Sequence, residues 1–290
     1  MYDLKALQSK EIEILQAVHD VCEELGIEYV IMHGTLLGAV RHGGFIPWDD
    51  DIDICMVRDS YDVFIEKGQD LLPHNLKIQH VRYEKECPNI FAKVRDVNTA
   101  FLHSEHVDLD INQGVFIDIF PIDRVKSGKL DITAEYYRKR LFNIINECYD
   151  YAYVKSIKRR SSKIIGFIIH YVITKGIMRL VSRSSFILRE ENRRRKLHYK
   201  GDDCTFISIY KKITGKYTLF TDRTMYDFAG HKVYGPKNYN EALSALYGDY
   251  MKVPSKEQQI THKPLFVDLE RGYSKYEIEK MISEGLIVWK

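Results

Sequence analysis

Four carboxylates fall within five positions, Asp49, Asp50, Asp51 and Asp53, and the last of them stands inside an apolar run, Ile52-Asp53-Ile54-Cys55-Met56. A bare Asp run after a proline such as Pro47 reads as a solvated turn. Acids that continue into an apolar strand do not. The alternation from Asp51 to Met56 predicts a strand. Its period of two puts Asp51 and Asp53 on one face and Ile52 and Ile54 on the other. Two carboxylates so close repel at neutral pH, and a divalent cation between them removes the conflict. Oxygen ligands suit Mg²⁺ or Mn²⁺, which leave room for waters and substrate phosphates. The best third ligand is Asp118, the single acid in Val115-Phe116-Ile117-Asp118-Ile119-Phe120. A lone acid in a buried strand is costly unless it is paired or bound to metal.

The residues before the acids add an anion site. Tyr29 to Met32 reads as a short buried strand, followed by His33, Gly34 and Thr35. A helix opens at the glycine and runs through Leu36 to Arg41, so its first N–H groups face outward, where they suit a phosphate. Gly34 and Thr35 are expected to approach that phosphate through backbone N–H groups and a hydroxyl. Arg41, about one turn on, either adds positive charge there or complements the helix dipole. Asp49 and Asp50 are flanking acids, suited to act as a base or to position Arg41. Trp48, beside the acids, is a candidate aromatic face of the site, against the commoner role of core packing. Asn89 to Val97 reads as a strand with Lys93 and Arg95 on one face. They would grip phosphates if that face carries the acids, and would be an exposed strand face if not.

Three stretches resemble a known family. HGTLLGAVRHGGFIPWDDDIDI (His33 to Ile54), GVFIDIFPID (Gly114 to Asp123) and YGDYMKVP (Tyr247 to Pro254) are similar to motifs of the LicD family, which has a nucleotidyltransferase fold. That family includes bacterial phosphocholine transferases and the fukutin-related proteins. A mild departure is Gly-Thr where many nucleotidyltransferases carry Gly-Ser. The resemblance implies an α/β (α+β) fold. Residues 1–125 would form the catalytic core, a mixed sheet with flanking helices. A mostly helical C-terminal part, 126–290, would complete the cleft. It also implies that Asp51, Asp53 and Asp118 are the catalytic metal ligands. The implied reaction moves a substituted phosphate, most simply phosphocholine from CDP-choline, to a sugar hydroxyl of a cell-surface glycan precursor such as teichoic acid, lipopolysaccharide or capsule. Glycerol- and ribitol-phosphate donors stay open. Transfer of a nucleoside monophosphate to a small molecule is one alternative; a membrane-associated binding protein without activity is another.

The rest of the chain bounds the partners. A formal net charge of +2 over 290 residues gives no reason to expect nucleic acid. The charge is uneven, however. Lys155 to Lys200 holds fourteen Lys and Arg against Glu190 and Glu191, a net +12, so the remainder carries −10. Such a block suggests peripheral contact with an anionic membrane or polymer, fitting a lipid-linked acceptor. The apolar run Ile164 to Thr174 is short of the roughly 20 residues of a spanning helix. It reads as an interfacial or a buried helix. Five scattered cysteines without a CxxC pair, and no secretory signal, fit a reduced, cytoplasmic protein, or one at the inner face of a membrane. Helices are expected at 4–25, 59–71 (capped by Asp59), 131–153, 238–250 and 274–284. Further strands are expected at 76–81 and within 205–231. His19 and Cys22 read as core-edge residues, and His103 and His106 as polar lining or surface.

Overall fold

The computed structural model describes residues 2–104, 106–107, 109–124, 128–147, 149, 181–197, 216–259 and 261–285. The first helix, α1 (Leu4–Leu25), begins where the Asp3 carboxylate accepts from the N–H groups of Lys5 and Ala6. It ends at Gly26, whose left-handed φ of 62° lets its N–H return to the carbonyls of Cys22 and Glu23. Its apolar stripe, Leu7, Ile14, Leu15, Val18 and Cys22, is buried against the central sheet.

That sheet has five strands. They are β1 (Val30–Ile31), β2 (Asp53–Val57), β3 (Leu76–Gln79), β4 (Ala92–Asp96) and β6 (Phe116–Ile122), in the order β1-β2-β6-β4-β3. The β2–β6 pairing is parallel and the other three are antiparallel, so the sheet is mixed. Between β1 and β2 lies α2 (His33–His42), and α3 (Arg58–Leu71) follows β2 without a loop. A short strand, β5 (Ala100–Leu102), stands apart from the main sheet. The fold is therefore α+β, as the sequence predicts.

The later residues return to the same body. The helices α4 (Lys129–Glu147) and α5 (Arg183–Leu197) pack on one another. A one-turn helix α6 (Thr218–Thr221) leads into the hairpin β7 (Arg223–Phe228) and β8 (His231–Pro236), and β8 packs beside β1. Next come α7 (Tyr239–Tyr247), then β9 (Phe266–Asp268), which pairs antiparallel with β5, and finally α8 (Lys275–Ser283). Alongside helices, the described C-terminal residues thus supply three strands.

Several boundaries differ from the sequence expectation. Strand β2 starts at Asp53, and Asp51 precedes it. The α3 helix opens at Arg58 with Val57 in the capping position; Asp59 lies in its first turn and favours the dipole instead of capping. The cause is the direct passage from β2 into α3, which leaves no loop residue to cap. Helix α2 opens at His33, one residue before the glycine. The apolar run 164–174, most of the basic block, residues 205–215, Cys148 and Cys204 lie outside the described residues. No helix among the described residues is long and apolar enough to cross a membrane.

The described part of the basic block works inside the protein. Arg193 donates to Glu135 at 2.9 and 3.0 Å and to Glu190, and Arg195 donates to Asp62 at 2.6 and 2.8 Å. Arg58, 1 % exposed, donates through Nε and Nη2 to Asp123 at 2.6 and 2.8 Å, and lies 3.7 Å from Glu191. This network ties α3, the end of β6 and α5 together. Replacing Arg58→Met is expected to cost about 3–5 kcal/mol at pH 7, measured by urea denaturation, because it strands a buried carboxylate. Burial pushes the Asp123 carboxyl up, but the Arg58 charge and hydrogen bonds more than reverse this and hold it low. A depressed folded pKa gives stability that is complete above the unfolded value, about 4, and lost as pH falls through the folded one. The gap between wild type and variant should therefore narrow as pH drops from 7 toward 3.

Candidate active site

Parallel, in-register pairing of β2 and β6 sets Asp53 directly beside Asp118. Asp51, two residues before Asp53, turns to the same side. One carboxylate oxygen from each of the three lies within 4.8 Å of the others. Hard oxygen donors this close fit a Mg²⁺- or Mn²⁺-sized ion. The crowding has an electrostatic signature. Burial, with Asp118 opposing His262, lifts the Asp51 carboxyl to about 6. Burial and then Asp51 lift Asp49 to about 7, and the same two causes push Asp53 well above its ordinary range.

The acids open onto a cavity of about 450 Å³. Its polar lining also includes His33, Asp49, Lys139, Arg194 and His262. Its apolar and aromatic lining includes Leu37, Ile46, Ile90, Phe91, Phe120 and Tyr247. Gly34 lines it too, and a Cβ there would lie 2.5 Å from Asp49 Oδ2, so a larger residue would have to displace that side chain. His33 takes a left-handed φ of 51°, its ring meets Phe120 edge-on, and burial holds its imidazole down to about 4, hence neutral.

Other predicted residues brace the site from outside the cavity. Lys93 does share the acid face. It lies opposite Asp118 in the β4–β6 ladder and its Nζ stands 2.5 Å from Asp118 Oδ1 and 3.5 Å from the Phe116 ring centre. Arg95 follows on the same face but donates to Gln79 at 2.8 Å and to the Gly114 carbonyl at 2.6 Å, and does not line the cavity. The Thr35 hydroxyl accepts the Asp53 N–H at 2.8 Å, so it fixes the start of β2. Arg41 donates to the Tyr250 carbonyl at 2.8 Å and holds the YGDYMKVP segment against α2. Trp48 is half-buried against the core, away from the cavity lining. Asp50 lies beneath the site. It accepts from Tyr2 Oη at 3.0 Å, from the His262 N–H at 3.1 Å, and pairs with His262 Nδ1 at 2.9 Å. His262 Nε2 then stands 3.7 Å from Asp51. The Asp50 hydrogen bond raises the imidazole to about 9, so it presents a cation to Asp51.

Ten lining residues were not expected at the site, and six of them are aromatic or charged: Phe91, Phe120, Lys139, Arg194, Tyr247 and His262. Two were within reach of the sequence reading. Phe120 is two residues from Asp118 and Phe91 two from Lys93, so period two puts each on the acid face. Tyr247 opens a motif that was noted. Lys139, Arg194 and His262 carry no local signal.

Residues 26–143 match a family model described as LicD/FKTN/FKRP, nucleotidyltransferase domain. The chain is 28% identical over 264 residues to the lipopolysaccharide cholinephosphotransferase LicD of Haemophilus influenzae, covering 87% of this chain and 92% of that protein. Over 42 residues, 14% of this chain and 8% of the relative, it is 48% identical to the human ribitol 5-phosphate transferase FKRP.

The role of Thr35 can be separated from substrate contact. Thr35→Val leaves the buried Asp53 N–H without an acceptor and should cost about 1–3 kcal/mol. Thr35→Ser keeps the oxygen and should cost only about 0.8 kcal/mol for the methyl group. Equal losses in denaturant unfolding would contradict the assignment.

Proposed function

The chain belongs to the LicD family through residues 26–143, and from that premise we propose that it is a metal-dependent phosphotransferase acting on a glycan. The observation that carries the reading is the convergence of Asp51, Asp53 and Asp118 on one wall of the cavity. The donor is a CDP-linked alcohol, in first place CDP-choline. The acceptor is a sugar hydroxyl of a cell-surface glycan precursor, free or lipid-linked, of the teichoic acid, lipopolysaccharide or capsule class. The likeness to the choline enzyme along most of both chains favours phosphocholine over ribitol phosphate. An aromatic wall agrees with it: Phe91, Phe120 and Tyr247 offer ring faces, which attract a quaternary ammonium. They take the part that Trp48 was expected to play. A lipid-linked acceptor would bring the enzyme to an anionic membrane surface from the cytoplasmic side.

In the reaction the acceptor oxygen attacks the phosphorus that bears the alcohol. The bond from that phosphorus to the bridging oxygen breaks, CMP leaves with the electron pair, and the proton of the acceptor hydroxyl is released to solvent. Mg²⁺ or Mn²⁺ held by Asp51, Asp53 and Asp118 would neutralise the donor's phosphate charge and acidify the hydroxyl. The protein's own contribution is positioning. Lys93 orients Asp118, Thr35 fixes Asp53 through its backbone, and Asp50 sets His262 against Asp51. Phe91 and Phe120, with ring centres 4.5 Å apart, help keep water from the reacting phosphorus.

The test is a product assay with Mg²⁺ or Mn²⁺. CDP-choline, CDP-ribitol, CDP-glycerol, ATP and CTP are offered in turn to wild type and to Asp51→Asn. CMP release from one CDP donor is expected, falling about 100-fold or more in the variant. Pyrophosphate release from a nucleoside triphosphate alone would instead make the protein a nucleotidyltransferase. Neither turnover nor metal-dependent binding of any donor would make it a binding protein.

A further inference from the structure

The cavity holds a second group of charges that the metal-centred reaction does not use. Arg194, on helix Arg183–Leu197, lines the cavity with a side chain only 10% exposed. Its Nε donates to Glu190 at 2.9 Å. Its Nη2 is buried and has no hydrogen-bond partner among the described residues. A buried guanidinium donor left unpaired is costly, and such a group commonly awaits an anion. Lys139, on helix Lys129–Glu147, lines the same cavity. Burial and the neighbouring Arg194 charge bring its ammonium down to about 7.

The acids nearest this pair are shared with other cations. Asp123 accepts both hydrogen bonds of Arg58, Glu190 is shared between Arg193 and Arg194, and Glu135 is engaged by Arg193. Arg194 therefore keeps an unpaired donor at the cavity, beside the Lys139 amine. The pair also lies apart from the acid triad. Lys139 and Arg194 act on Asp123, beyond the end of β6, and Pro121 lines the cavity between Asp118 and that end. Three residues of strand correspond to about 10 Å.

We propose that Lys139 and Arg194 form a phosphate subsite at the Asp123 end of the cavity, separate from the metal-bound phosphoryl group. The inference rests on the phosphotransfer reading for its substrate, but its chemistry, a buried guanidinium and an ammonium around one oxyanion, stands on the geometry. The phosphate comes either from the donor's diphosphate or from a phosphate carried by the acceptor.

The test begins without metal. Inorganic pyrophosphate is titrated calorimetrically into full-length protein in EDTA, so the acid triad makes no metal-bridged contact. Wild type should bind. Arg194→Gln and Lys139→Gln should each weaken binding about tenfold or more, and Arg194→Lys should retain part of it, having kept the charge and lost the fork. Arg195→Gln, which breaks ion pairs to Asp62 and Glu191 outside the cavity lining, should bind as wild type does. Circular dichroism of each variant separates lost binding from lost folding. CDP-choline and glycerol 3-phosphate are then compared. A loss confined to the first assigns the subsite to the donor, and a loss confined to the second assigns it to a phosphorylated acceptor. Pyrophosphate binding that is absent in wild type, or equal in wild type and the folded Arg194→Gln and Lys139→Gln variants, overturns the subsite. Failure of the phosphotransfer reading looks different: no CMP release from any donor, with metal-free pyrophosphate binding and its variant losses intact.

Discussion

The parallel, in-register contact of β2 and β6 is the constraint on which the site depends. It fixes Asp53 beside Asp118 across a strand spacing, and Asp51 joins them from the residue pair before. Three carboxylates so placed are unfavourable together: burial first, and then the charges of neighbouring acids, raise Asp51 and Asp53. A fold optimised for stability alone would not keep them there. The surrounding structure holds them in place regardless. The Asp118 N–H donates to the Ile52 carbonyl at 2.8 Å, and Ile52 and Ile54 are fully buried on the opposite face.

The braces around the acids come from distant parts of the chain. Lys93 comes from the neighbouring strand, and Thr35 from the helix before β2. His262 and the 250–252 segment come from more than 200 residues away in sequence. Each carries a backbone or side-chain hydrogen bond that a simple polar cluster would not need. Such support around the acids is how a site keeps its geometry when a ligand arrives. The opposite end of the cavity follows different logic, with cations from two helices facing inward and their partner acids shared.

How much of this was legible in the sequence follows from the range of the interactions. Asp51, Asp53 and Asp118 were readable because a strand's period of two fixes faces locally, and because an acid in an apolar run needs a partner. Lys93 was readable for the same reason. Arg95 shares its face, yet Gln79 and Gly114 take its guanidinium, and that competition is a tertiary fact with no local trace. Thr35 and Arg41 sit in the right motif but serve as braces, since a hydroxyl or guanidinium near a turn bonds whichever carbonyl or N–H the fold brings past it. The arginines of 193–195 read as a surface charge block. The acids they meet, Asp62 and Glu135, lie on other helices. The three added strands of the C-terminal part are short, and two of them form a hairpin whose partner is local while its packing against β1 is not.

The central claim is that Asp51, Asp53 and Asp118 share a divalent cation. The most direct measurement is an anomalous difference map from crystals of the full-length protein soaked in Mn²⁺. The account predicts a peak within roughly 2.0–2.6 Å of oxygens from all three carboxylates, with Lys93 still beside Asp118. A peak held elsewhere, or none at these acids at saturating Mn²⁺, would contradict it.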